Sequence, residues 1–265
     1  MGGDRRADEP TAELERPPQL RLRAISCEIL YREMCLVAAN SPNIVDLEFM
    51  PKGLHDLGPE GMRQALQERI DAVDQTVYDR VVLGYGLCSN GTAGLVARTV
   101  PVVIPRAHDC ITLFLGAKEA YQAYFDKHPG TYFRTTGWCE RDFCNQHTSI
   151  PHRLGTDKSY EEYLRLYGQE NADFIAEMLG SWERHYDRMT FVDMGLANFL
   201  PYAEEAERDA IRRGWSFERL QGSLGLIEAL VDGPWLEDWF VVLQPGQEAL
   251  AANDGQVFTV RDAAG

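Results

Sequence analysis

Residues 81–91 read VVLGYGLCSNG, an apolar run that breaks into glycines and then reaches a cysteine, Cys88. The same change recurs in RAISCEIL at 23–30, with Cys27, and in VPVVIPRAHDCITLFLG at 100–116, with Cys110. Each apolar run has the length of a buried strand, and each cysteine stands where the strand gives way to a turn or helix. In open α/β sheets ligands collect outside the carboxyl ends of the strands, so these three residues are expected to converge in space.

Outward from these segments, short apolar runs alternate with longer amphipathic stretches, the pattern of βα units. Strands are expected at 22–27, 44–49, 79–83, 100–105, 131–135, 189–193 and 240–243. GPEGMRQALQERIDAVDQ at 58–75 places Met62, Leu66, Ile70 and Val73 on one helical face. SYEEYLRLYGQENADFIAEMLGSWERHY at 159–186 opens with Ser159 and Glu162 in a capping-box spacing, and PYAEEAERDAIRRG at 201–214 begins with proline and closes on Gly214. The expected fold is α/β, a Rossmann-like, mostly parallel sheet of about six or seven strands flanked by helices. It forms a single domain over 19–263. Residues 1–18 are rich in charge and poor in apolar side chains and read as a disordered leader, while 137–157, GWCERDFCNQHTSIPHRLGTD, reads as a long lid-like loop.

Composition narrows the function classes. The 265-residue chain carries 41 acidic and 26 basic residues, a formal charge of −15, and has no basic stripe, which argues against nucleic acid as a partner. No apolar run approaches the roughly 20 residues that span a bilayer, and the charged N-terminus lacks the apolar core of a secretory signal. No membrane association and a cytoplasmic location are therefore expected, with the six cysteines as thiols, metal ligands or buried small hydrophobes rather than disulfides.

Cys27, Cys88, His108 and Cys110 form the candidate metal set. Thiolate and imidazole are zinc donors, and three thiolates with an open position are equally able to hold an iron–sulfur cluster; spacing does not separate the two. A helix starting near Ser89 or Asn90 is expected to favour the Cys88 thiolate through its dipole. Cys88 is also a candidate nucleophile, with His108 as its base and Asp193, another strand-end acid, as a proton carrier. Tyr85, Asn90, Arg106 and Trp138 are candidate substrate-binding residues, and Arg134 and Arg141 lie beside strand ends where a carboxylate or phosphate could dock. Asp109 orients His108 or caps the following helix. Cys35 reads as a core residue, and the order Cys139, Cys144, His147, His152 is a weaker structural-zinc pattern. The glycines Gly84, Gly86 and Gly91 do not match a dinucleotide fingerprint.

Taken together, SCEILYRE, VVLGYGLCSNGTAGL, VPVVIPRAHDCITLFLG and GTYFRTTGW resemble an uncharacterised prokaryotic family, domain of unknown function 1638, from about Leu20 to Pro245 and Gly246. The resemblance implies that the Cys27, Cys88, His108 and Cys110 segments belong to the family's core. It also implies a setting beside corrinoid-dependent methyltransferases, hence one-carbon or methylated-amine metabolism, although the chain has no D-x-H-x-x-G segment for a corrinoid. The stretch with Cys139 and Cys144 departs from the family pattern. Three readings follow: a zinc-thiolate enzyme acting on a small-molecule substrate in methyl transfer, a metal-free cysteine nucleophile, or an accessory protein for a methyltransferase partner.

Overall fold

The computed structural model of the protein describes residues 19–144, 160–169, 171–173 and 186–263. Every expected strand is present: β1 (Arg21–Cys27), β2 (Ile44–Met50), β3 (Arg80–Gly84), β4 (Val102–Pro105), β5 (Thr131–Thr135), β6 (Arg188–Asp193) and β8 (Phe240–Leu243). Three more complete the set: β7 (Ser216–Gln221), β9 (Gln247–Ala251) and β10 (Phe258–Asp262).

The strands do not make one sheet of six or seven. A five-stranded sheet is ordered β2-β1-β3-β4-β8, parallel except for β8, which runs antiparallel to β4. A separate three-stranded parallel sheet is ordered β5-β6-β7, and β9 and β10 form an antiparallel pair. The division follows the burial. The main core gathers around Leu22, Ile25, Val82, Val103 and Phe240, whereas Met189 and Phe191 pack in a second cluster against Ala203, Ala206 and Ala210. The architecture is thus mixed α/β, with a mostly parallel central sheet of five strands and two smaller sheets.

Helices α1 (Tyr31–Asn40), α2 (Gly58–Asp71), α3 (Cys110–Leu115) and α4 (Lys118–Lys127) occupy the connections of the first half. The period seen in the sequence holds in α2, where Met62, Leu66 and Ile70 are buried, each contributing roughly 1.5–3 kcal/mol. Helix α5 (Thr136–Cys144) stands where a loop was expected, so the loop reading fails for 137–144; 145–157 and the leader 1–18 lie outside the described residues. Gly137 explains this placement, because a Cβ there would lie 1.7 Å from the Ile29 carbonyl oxygen. The backbone of α5 can then rest directly on the 3-10 turn Glu28–Leu30 that follows β1, tying the smaller sheet to the larger. Helix α6 (Tyr160–Tyr167) follows Ser159, which is itself outside the described residues. Helix α7 (Tyr202–Arg213) ends on a left-handed Gly214 as its sequence predicts, and α8 (Gly225–Asp232) packs against α1. Among the described residues no helix is long and apolar enough to cross a membrane.

Strand order fixes where a site can form. β2 lies on one side of β1 and β3 on the other, so the winding reverses between β1 and β3 and opens a crevice over their carboxyl ends. Ser26 is registered opposite Gly84, which delivers Cys27 and Tyr85 side by side at that crevice.

Candidate functional site

A cleft of about 570 Å³ lies between the carboxyl edge of the five-stranded sheet and the β5–β6 side of the three-stranded one, where it meets the start of β5 and the residue before β6. The β3 and β4 loops supply Cys88, Ser89, His108, Asp109 and Cys110 to it. Its opposite wall is aromatic, with Tyr121 and Phe125 from α4, Tyr132 and Phe133 from β5, Trp138 from α5, and Tyr186 just before β6.

The three strand-end cysteines do come together. Cys27 is buried at the end of β1, Cys88 is buried, and Cys110 is half-buried, and all are free thiols. Burial pushes the Cys27 thiol up to about 11, against the pull of the Ile29 backbone and Lys52. Burial raises Cys88 and Cys110 further, and the thiols add to one another: Cys27 acts on Cys88, and both act on Cys110. Asp109 opposes ionisation of both as well. The expected helix at Ser89 or Asn90 is absent, and with it the dipole that was to favour a Cys88 thiolate. Instead Cys88, Ser89 and Asn90 have φ of 47°, 54° and 68°. Three consecutive left-handed residues without glycine cost roughly 1–2 kcal/mol each, strain of the kind held at functional sites.

The glycines of this segment serve close approach rather than the left-handed turn. A Cβ on Gly86 would lie 2.6 Å from the Ala107 carbonyl oxygen and 2.9 Å from the Asp109 nitrogen. Tyr85, a candidate substrate-binding residue, is buried and does not line the cleft. It is 1% exposed, and burial, with the Cys27 and Cys88 thiols that its hydroxyl faces, raises its pKa well above the ordinary value.

Asp109 acts as the N-cap of α3. Its Oδ1 accepts from the Ile111 and Thr112 backbone N–H groups at 2.9 and 3.3 Å, and its Oδ2 accepts from the Tyr121 hydroxyl at 3.2 Å. His108 is exposed at the cleft edge, and its carbonyl oxygen accepts from the Cys88 N–H at 2.9 Å. Trp138 lines the wall as expected, with the Lys52 ammonium 4.7 Å from its ring centroid.

Other expected participants lie elsewhere. Arg106 donates to the carbonyl oxygens of Glu237, Gln256 and Phe258, each at 2.6 Å, and so ties the β9–β10 region to β4. Asp193 pairs with Arg219 at 2.8 Å and accepts from the Gly195 N–H, away from the thiols. Asn90 is exposed and does not line the cleft. Arg134 is paired with Asp209, and Arg141 lies 3.7 Å from Glu28. Cys35 is half-buried rather than in the core, and His147 and His152 lie outside the described residues. The sequence reading missed His55, Tyr121, Tyr132 and Tyr186. His55 follows β2 at the same carboxyl edge, so the strand-end rule applied to β2 finds it; burial lowers its pKa, which keeps it neutral.

As the side chains stand, no group of three or more His, Cys, Asp or Glu among the described residues is arranged to hold a metal ion. The donor chemistry nonetheless suits a thiophilic cation: three neighbouring thiols, with the buried Tyr85 hydroxyl against Cys27.

A family model described as Protein of unknown function (DUF1638) matches residues 49–231. The match takes in Cys88, His108, Cys110 and the aromatic wall; Cys27 precedes it. No curated protein and no solved structure matches the chain.

Proposed function

The chain belongs to the DUF1638 family, whose description assigns no chemistry, and from its cleft we propose a small-molecule enzyme in which Cys27, Cys88 and Cys110 take up a thiophilic metal ion, zinc first. His108, at the cleft edge, is the proposed fourth ligand. The observation that carries this reading is the convergence of three thiols that oppose one another's ionisation, Cys88 and Cys110 in the lining of a substrate-sized cleft and Cys27 buried near them.

Uncharged, these thiols are poor nucleophiles, and in this setting each resists ionisation because of burial and its neighbours. Cys27, Cys88 and Cys110 would hold a divalent cation as thiolates, which would offset the cost of ionising them. Binding requires the side chains to turn toward one another from their present placement. Once bound, the ion supplies Lewis-acid activation or a lowered thiol pKa. The aromatic wall excludes water from the reacting groups, and the Tyr85 hydroxyl is placed to donate to a sulfur that becomes anionic. Transfer of a methyl group to or from a thiol is the specific reaction to which the family resemblance points.

The test is elemental analysis with an ultraviolet–visible spectrum of protein purified without air, beside the Cys88→Ser, Cys110→Ser double variant. About one zinc per chain, lost in the variant, is the expected result. Several irons with a broad visible band would assign a cluster instead. Metal-free protein in both samples would overturn the reading. It would leave Cys88 as a nucleophile, a role that its strained backbone favours, or an accessory role, marked by copurification of a methyltransferase without turnover.

A further inference from the structure

The lining of the cleft is selective for charge. Among the described residues it contains no lysine and no arginine, and its one carboxylate is Asp109. The arginines expected to draw an anion there are committed elsewhere, Arg106 to three carbonyl oxygens, Arg134 to Asp209 and Arg141 beside Glu28. A carboxylate or phosphate entering this cleft would meet a carboxylate, the His55 imidazole and ring faces, with no cation in the lining itself to offset its desolvation; the Lys52 ammonium stands over the Trp138 ring and is not a lining residue.

A cation meets the opposite environment. Burial raises the pKa of the Asp109 carboxyl above the usual carboxylate value, and three hydrogen bonds, from two backbone N–H groups and from Tyr121, work against that shift in favour of the ionised form, as would a cation beside it. Its charge is largely withdrawn from water, so attraction to an opposite charge nearby is less screened than at a surface. The aromatic wall adds the quadrupoles of its rings; Trp138 already faces the Lys52 ammonium at 4.7 Å and Tyr132 the Arg134 guanidinium at 5.7 Å, whereas Tyr121, Phe125 and Phe133 also line the cleft. The rings are not parallel plates: Tyr132 and Tyr186 meet at 88° with centroids 5.5 Å apart, and Tyr121 and Phe133 at 32° and 6.4 Å. Such walls suit a compact, rounded ligand better than a flat one. At about 570 Å³, the space exceeds what a bare ion needs.

We infer that the cleft binds a small alkylated ammonium cation, with its charge opposite Asp109 and its alkyl groups against Tyr121, Phe125 and Phe133. This rests on the proposal that the cleft is the substrate site, and not on the metal.

The experiment is isothermal titration calorimetry of the full chain with choline, with its uncharged carbon isostere 3,3-dimethylbutan-1-ol, and with acetate. Choline is expected to bind about tenfold or more tighter than the isostere, and acetate not to bind. Asp109→Asn keeps an N-cap of nearly equal quality, so the fold is retained. This variant is expected to lose about tenfold in choline affinity while its affinity for the isostere stays the same. Phe125→Leu, on an exposed side chain, is expected to weaken choline by about threefold. Isostere binding as tight as choline, acetate binding in place of choline, or no choline binding at millimolar concentration each overturns the inference. Metal content of the same samples separates the two proposals. Zinc without choline binding sinks this inference alone, and choline binding to protein that never holds metal sinks the thiolate reading alone.

Discussion

The backbone N–H of Cys88 donates to the carbonyl oxygen of His108 at 2.9 Å, and one residue earlier Leu87 donates to Ala107 at 2.7 Å. The sheet pairing of β3 and β4 thus continues past their ends as a two-rung splice between the loops that carry the cleft's thiols. Cys88 and Cys110 are neighbours because of this splice, and Gly86 permits it by leaving no Cβ between the loops.

Gly86→Ala inserts a methyl group 2.6 Å from the Ala107 carbonyl oxygen and forces the splice apart. The expected cost is about 1–3 kcal/mol of stability, as for overpacking elsewhere. Urea unfolding measures it. Metal or choline binding is expected to fall more steeply than stability, because the displaced loops are those that hold Cys88 and Asp109. A variant as stable as wild type would show that the two loops are free to separate.

Arg106→Ala tests a residue that the sequence placed in the site and the structure places in a joint. Loss of its bonds to Glu237, Gln256 and Phe258 removes a donor from three carbonyl oxygens. Thermal unfolding is expected to report a loss of roughly 2 kcal/mol. Ligand and metal affinity should be unchanged. A selective loss of binding at full stability would return Arg106 to the cleft.

Glu33, on α1, has a fully buried carboxyl with neither oxygen hydrogen-bonded, and burial raises its pKa from 4.5 to about 7, with Glu140 adding to the shift and Arg32 opposing it. The folded chain keeps this proton up to about pH 7 whereas the unfolded chain releases it near 4.5, so stability falls as pH rises through that window. The loss is about 3 kcal/mol if nothing relaxes. Glu33→Gln is expected to remove this dependence and to be more stable than wild type at pH 8 relative to its standing at pH 5. Chemical denaturation at both pH values decides, and a constant difference between the two proteins would mean that the folded carboxyl is solvated.

Iodoacetamide reads the thiols directly. With Cys27 at about 11 and Cys88 higher, alkylation of the metal-free protein at these sites should climb about tenfold per pH unit from roughly pH 7 to 10 without a plateau. Peptide mass spectrometry follows each site. A plateau near neutral pH at Cys88 would identify an ionised nucleophile and favour the metal-free reading over the thiolate one.

Much of the fold was legible because apolar runs and helical periods are local. The strand at residues 131–135 has the expected bounds, and α2 buries the predicted face. β7, with the sequence SFERLQ, was missed because it is a polar strand at the edge of its sheet whose side chains are at best half-buried; only pairing with β6 makes it a strand. β9 and β10 were missed for a similar reason, as short segments with few buried side chains.

The sequence by itself determined that Cys27, Cys88 and Cys110 end parallel strands, and parallel strands of one sheet bring their ends to one edge. Only the tertiary structure decided that β5, β6 and β7 form a sheet of their own. That division turns an edge into a cleft and makes its second wall from Tyr121, Tyr132 and Tyr186, residues that periodicity alone assigns to packing. It also decided that Arg106 and Asp193 are spent on structure. The physical reason is range. Hydrophobic pattern states that a segment is a strand and which faces it buries, but partner choice and ion pairing depend on residues far away in the chain, such as the 131 positions between Arg106 and Glu237.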